Sequence, residues 1–233
     1  MRPVERGSRP LDEHGKPKIY SDYSLARRDL IDRMGQYCSY CNQKLPASLA
    51  VEHIQPKNPV PALKLEWTNF LLACTNCNST KGVTLINADD YIWPDLHNTH
   101  LAFKYNEDGT IDINETLSKQ LTIKAKNLLK LVGLQKYVDK ATDSDRRWKN
   151  RTETFSKAQT TLEIFKSASA KGAEEEFIEL ISILAPDSGF FSVWMTVFAG
   201  YPKVKKVLIE SFKGTASNAF DENQNSIIRT DIL

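Results

Sequence analysis

The four cysteines of this 233-residue chain fall into two pairs, Cys38-Ser39-Tyr40-Cys41 and Cys74-Thr75-Asn76-Cys77. A C-x2-C turn lets two thiolates converge on one side of a tetrahedron, and a second such turn completes a closed four-sulfur zinc site. That site is scaffold rather than catalyst, because four thiolates leave no coordination position for water. Two disulfides are the main rival, and a redox pair needs only one such motif; a reducing compartment favours metal over both. Between the pairs stands VEHIQPK, residues 51–57, where Glu52 and His53 adjoin in an apolar, strand-like run interrupted by Pro56. A neutral imidazole with a reference pKa of about 6.5 can take a proton from water near neutrality. The rival reading of the dipeptide is an unremarkable pair of surface side chains.

The elements that must hold these groups can be read from periodicity and punctuation. Tyr23, Ala26, Leu30 and Met34 recur at helical spacing over 22–34, behind Ser21 as N-cap and before Gly35 as stop signal. Residues 49–54 and 69–73 read as short strands, and a helix is expected from Cys77 onward. Two further strands, 101–105 and 110–113, flank the turn chemistry of Asn106, Glu107, Asp108 and Gly109. Beyond Asn114 the pattern is helical: 117–131, a long segment from 134 to about 166, then 173–184, 190–198 and 204–212, punctuated by Gly133, Gly172, Pro186 and Pro202. Residues 213–233 are polar until SIIRTDIL and are expected to form a loose tail.

Composition sets the class. A hydrophobic content of 41% suits a chain that buries a core, and no run of eighteen apolar residues offers a membrane span. Charges occupy the opening MRPVERGSRP where a secretory signal needs an apolar stretch, which points to a cytoplasmic protein. Net charge is only +2, so any claim of nucleic-acid binding must rest on where the charges lie. Residues 119–157 hold eleven Lys or Arg against four acids, and 158–189 hold two against six. Solvated helix faces account for such runs in the simplest reading.

The order Cys-x2-Cys, Glu-His-Ile-x-Pro, Trp-x-Asn, Cys-x2-Cys-Asn, x2-Lys-Gly over residues 37–82 resembles the HNH endonucleases with a zinc-stapled ββα-metal fold. The resemblance implies hydrolysis of phosphodiester bonds. His53 would activate water; Glu52 and Asn78 would offer hard oxygen ligands to Mg²⁺ or Mn²⁺; and Cys38, Cys41, Cys74 and Cys77 would hold structural Zn²⁺. Asn69 matches the motif's central Asn, whose family role is to hydrogen-bond the loop that orients the histidine. Lys81 would share a helix face with Asn78 and bring its ammonium near a phosphate. Many members carry Asp where Glu52 stands, and His where Asn78 stands. Adjacent strand residues also point to opposite faces, so the chain is expected to bend near Glu52 and His53. His97 and His100 have no settled role, and His14 lies in a polar segment.

A looser resemblance, carried by the opening residues, the helix before Cys38, HLAFKYNEDGTI and LVGLQKYVDK, is to the PtuB family of HNH effectors in Septu anti-phage defence, also found with some retrons. It implies a PtuA-like ABC-type ATPase partner and a higher-order complex. The fold expected is α+β and mainly helical, with a zinc-stabilised nuclease domain over 1–114 and a helical region over 115–233. DNA is the expected substrate, with RNA also open. The basic segment 119–157, including Arg147 and Lys149, would track phosphates, and FFSVWMTVF would form a buried helix or a partner surface. Two other readings stand beside this: a non-catalytic zinc module that binds nucleic acid or protein, and a restriction or mobile-element HNH nuclease.

Overall fold

The computed structural model describes residues 1–137 and 145–229. It is α+β and mostly helical, with two separate two-stranded antiparallel sheets. Helix α1, Ala26–Met34, follows a 3-10 turn whose cap is Asp22 rather than Ser21: the Asp22 carboxylate accepts the Ser24 amide. The helix buries Ala26, Leu30 and Met34 and stops at Gly35, whose φ of 73° disfavours any side chain.

Strands β1, Ala50–His53, and β2, Phe70–Ala73, pair in a register that sets Glu52 opposite Leu71 and His53 opposite Phe70. Helix α2, Thr75–Lys81, starts earlier than expected because the Cys74 sulfur caps it, accepting the Cys77 amide at 3.4 Å. These three elements make a ββα unit.

The expected hairpin is present as β3, Phe103–Tyr105, and β4, Ile111–Ile113, after the short α3, Thr99–Ala102. Helix α4, Lys119–Leu131, is capped by Ser118. The long helix expected from Leu134 begins instead at Arg147, as α5, Arg147–Ser169. The chain turns at Gly133, with φ of 65°, and the Leu134 amide closes back on the Leu129 carbonyl. Residues 138–140 of LVGLQKYVDK, and the rest of 141–144, lie outside the described residues. Helix α6, Glu174–Ser188, runs through Pro186, which was expected to break it, and ends at Gly189. The proline forgoes its own ladder bond to the preceding turn, and the helix runs only two residues further, to Ser188. Helices α7, Phe191–Val197, and α8, Pro202–Ser211, follow, and a 3-10 turn comes after them at Ser217–Ala219.

Two cores result. The first joins α1, β1, β2 and Trp93 to Ala125, Leu128 and Leu129 of α4, so it takes in residues on both sides of 114. The second is built from α5 to α8 around Phe165, Ile181, Trp194, Phe198 and Leu208. Phe191, Val193, Trp194 and Met195 are all buried, so FFSVWMTVF is a core helix. Among the described residues, no helix is long and apolar enough to cross a membrane.

The tail is not loose as far as Arg229. Asn98 Nδ2 donates to the Ala219 and Ile227 carbonyls at 2.7 and 2.8 Å, and Arg229 Nη1 donates to the Asp95 carbonyl at 2.9 Å. The charged N-terminal residues are equally unlike a surface strand: Arg2 is buried and donates to the Met34 and Phe212 carbonyls. Both segments supply backbone or guanidinium partners that a hydropathy pattern does not register.

His100 packs edge-on against Phe191, and its Nδ1 is buried with no hydrogen-bond partner among the described residues. Burial holds its pKa down at about 3 in the folded chain. An unfolded chain takes up that proton near 6.5, so the stability present at neutral pH is lost as pH falls from 6.5 toward 3. Denaturant midpoints should therefore drop between about pH 7 and about pH 4. They should drop less in His100→Phe; equal slopes would assign the acid sensitivity elsewhere.

Candidate active site

Cys38 and Cys41 sit on a turn closed by the Asn42 amide on the Cys38 carbonyl, and the Ser39 amide ties that turn to the Leu72 carbonyl of β2. Cys74 and Cys77 sit across the start of α2. The four Sγ atoms lie within 4.8 Å of one another, all buried and none in a disulfide. Tetrahedral zinc with Zn–S bonds of about 2.3 Å requires sulfurs about 3.8 Å apart. Cys41 and Cys74 are separated by 3.8 Å, too far for a disulfide and right for two ligands of one ion. Hydrogen bonds among the sulfurs push the Cys41 thiol up and the Cys74 thiol down, and burial pushes Cys77 up. Four thiolates this close need a cation to be charged together. The cluster thus has the donor set and the dimensions of a structural zinc site.

One guanidinium reaches it. Arg147 Nη1 donates to Cys77 Sγ at 3.1 Å and to the Val132 carbonyl at 2.7 Å, while Nε and Nη2 fork onto Asp145 at 2.7 and 2.6 Å. Arg147 is 3% exposed. Arg151 is 2% exposed, with its Nε on the Gly109 carbonyl. Neither tracks phosphates, which corrects the expectation for this part of the basic segment. Lys126, Lys130 and Lys149 remain exposed, and Lys140 lies outside the described residues.

Glu52 and His53 close β1 but serve different neighbours. Pairing continues to His53–Phe70, so the strand does not bend at the dipeptide and the two side chains leave it on opposite sides. Glu52, 4% exposed, points to α2, where Lys81 Nζ lies 2.8 Å from Oε1. Burial raises the Glu52 pKa and Lys81 opposes the rise. The Lys81 ammonium also donates to the His53 carbonyl at 2.7 Å. It faces inward rather than toward solvent. Asn78 is half-buried one turn earlier on α2, with no side-chain hydrogen bond among the described residues.

The His53 ring meets Phe70 and Tyr23 edge-to-face, with centroids 5.2 and 4.9 Å away. Its Nε2 lies 3.0 Å from the Lys64 carbonyl. A carbonyl only accepts, so Nε2 carries the proton and the neutral ring's lone pair is on Nδ1. Burial lowers the His53 pKa. Asn69 grips the loop that supplies that carbonyl: its Oδ1 accepts the Gln55 amide at 2.7 Å, and its Nδ2 donates to Gln55 and Leu63 carbonyls at 2.9 and 3.1 Å.

Residues 38–84 match the HNH endonuclease family. The matched segment holds all four cysteines together with Glu52, His53, Asn69, Asn78 and Lys81. The chain is also similar to the Septu protein PtuB of Bacillus thuringiensis, with 37% identity over 71 residues. That alignment covers 29% of this chain and 25% of the relative, so the chain spans about a quarter of the length of the relative it matches.

The HNH segment is thus built from two groups of partners, one on α2 and one on the loop after β1. The other histidines stand apart from it in their contacts. His97 Nδ1 accepts the Trp93 amide at 3.0 Å, His100 lies in aromatic surroundings, and His14 is exposed. Reading by motif did not find Tyr23, the Lys64 carbonyl or Arg147. Tyr23 and Arg147 lie outside the matched segment, and a carbonyl has no residue signature.

Mass spectrometry of the purified chain should find one zinc, and a strong chelator should lower its melting temperature. Arg147→Gln should release zinc to a chromogenic chelator about tenfold faster, the scale on which partners of metal ligands act. Unchanged release would reduce Arg147 to a packing role.

Proposed function

We propose that this chain is a metal-dependent HNH endonuclease that cuts DNA, acting as the effector of a Septu-type defence system under control of an ABC-type ATPase. The observation that carries the nuclease reading is the tautomer of His53: one nitrogen is tied to the Lys64 carbonyl, leaving the other as a base. Because burial lowers its pKa, the ring is neutral at physiological pH and ready to accept a proton from water. The Septu reading is supported by the partial likeness to PtuB; the DNA substrate, the ATPase partner and the cytoplasmic setting belong to the same proposal.

Glu52 and Asn78 fit a hard divalent ion. Among the described residues Glu52 Oε1 receives no aligned hydrogen bond despite its nearby ammonium, and Asn78, half-buried on α2, carries an amide oxygen with no hydrogen bond. Oxygen donors of this kind suit Mg²⁺ or Mn²⁺. When bound, such an ion would neutralise phosphate charge and help the departing 3′ oxygen. The protein's own residues do the rest. Lys81 balances the buried Glu52 charge and fixes the end of β1 through the His53 carbonyl. Asn69 holds the loop so that the Lys64 carbonyl stays on the imidazole.

Plasmid DNA incubated with the chain and Mg²⁺ or Mn²⁺, with and without its ATPase neighbour, should be nicked or cut, and EDTA should stop the reaction. His53→Ala should lose cleavage by at least about 100-fold, the contribution of a positioned base, while keeping zinc and its melting temperature. A non-catalytic zinc module would show no cleavage in either protein. The base works only unprotonated, and its pKa lies below the ordinary 6.5, so the acid limb of the rate profile should lie below pH 6.5. A limb above that value would assign the base to another group.

A further inference from the structure

Beside His53 lies an open cleft of about 600 Å³ lined by Asp22, Tyr23, Lys57, Asn58, Pro61 and Lys64. We propose that this cleft binds the nucleic-acid backbone next to the scissile phosphate, with Lys57 and Lys64 as the phosphate contacts and Tyr23 as the wall between them and His53. The inference rests on the nuclease reading above and names the substrate-binding residues that no motif position supplies.

Three observations converge on it. Tyr23 touches both the cleft and the base: its ring lies 4.9 Å from the imidazole, and the Lys57 ammonium sits 3.8 Å above its centroid. A group held at Lys57 is therefore one side chain away from His53. The loop that carries Lys57 and ends at Lys64 is also the one that Asn69 clamps at Gln55 and Leu63, and its Lys64 carbonyl sets the tautomer of His53. One rigidly held loop thus presents cations outward and a carbonyl inward. Finally, the volume is of the size that admits a nucleotide-scale ligand, and the lining charge is positive, with two lysines against Asp22. The Asp22 carboxylate is already engaged, accepting from the Ser24 amide and hydroxyl.

The lysine ammonium groups are phosphate ligands of the point-charge kind, suited to a backbone rather than to a base edge. Binding in the cleft should therefore depend on salt and hardly on sequence.

The test uses the full zinc-loaded chain carrying His53→Ala, with Mg²⁺ and Mn²⁺ omitted and no chelator added, titrated into a short fluorescein-labelled DNA duplex over a salt series. Charge reversal at both positions, Lys57→Glu with Lys64→Glu, should weaken binding about tenfold or more and flatten the slope of log K against log salt by about 0.9 per lysine. The Lys64 carbonyl survives the change, and retained zinc with an unchanged melting temperature excludes misfolding. Asp22→Asn should tighten binding. Lys171→Glu, exposed at the turn between α5 and α6, should alter neither affinity nor slope. Wild-type affinity and slope in the double variant would overturn the proposal, as would loss of binding only when Lys126 and Lys130 are reversed. With His53 restored, cleavage is read separately. If no metal supports cutting but the double variant still loses DNA, the nuclease reading fails and the cleft stands. If the double variant binds and cuts like the native chain, the cleft fails and the nuclease reading stands.

Discussion

Four sulfurs confined within 4.8 Å in a dry interior cannot all be thiolates without a cation at their centre, and much of the site depends on that cation being there. The strands of the HNH unit are four residues each, and a two-stranded ribbon of that length is marginal on its own. The thiolate cluster links the three pieces that the ribbon needs. It holds the 38–41 turn, which hydrogen-bonds to β2 through Ser39; it starts α2 through the Cys74 cap; and through Cys77 it draws in Arg147 at the head of α5. Structural zinc in small motifs contributes on the order of 10 kcal/mol of apparent folding free energy, comparable to the whole stability of an ordinary domain.

The strand then imposes a second constraint. Because β1 stays regular through His53, Glu52 and His53 cannot share a face, and each is served by a different element. Helix α2 holds Glu52 by the buried Lys81, and the loop after β1 holds His53 by the Lys64 carbonyl. The pairing matters more than its net strength. A buried ion pair adds little over an apolar isostere, yet removing one partner strands the other charge at a cost of about 3–5 kcal/mol. Lys81 links the two halves through side-chain charge: one ammonium contacts the Glu52 carboxylate and the carbonyl of His53.

How far this arrangement was legible in the sequence follows from how local each interaction is. Chelation by C-x2-C is settled within one turn, so the cysteine spacing announced the cluster directly. Asn69 and the hairpin of β3 and β4 were readable for the same reason, since motif order and turn residues act over a few positions. Arg147 was not. Its place on a polar, periodic helix looks like a solvated face, and only the approach of Cys77 and the Val132 carbonyl in three dimensions turns it inward. Buried Arg2 and the tail through Arg229 escaped for the related reason that their partners are backbone carbonyls scattered along the chain. Pro186 reads as a break because it lacks an amide, yet α6 forgoes only that one ladder bond and runs two residues further, to Ser188.

Those inward-turned arginines also change how the chain's charge should be understood. With net charge near zero and two of its central guanidiniums buried, a diffuse basic segment is a weak source of specific positioning. Exposed charges are screened over about 8 Å at physiological salt, so lysines on distant helices can raise the local concentration of a polyanion but cannot register one phosphate against one imidazole. Registration requires cations within a side chain's reach of the base, on backbone that does not move. The loop after β1 carries such cations, and Asn69 hydrogen-bonds it at Gln55 and Leu63, next to the Lys64 carbonyl on His53. Any substrate grip there is consequently coupled to the tautomer of the base, and a distortion of the loop would degrade binding and proton acceptance together.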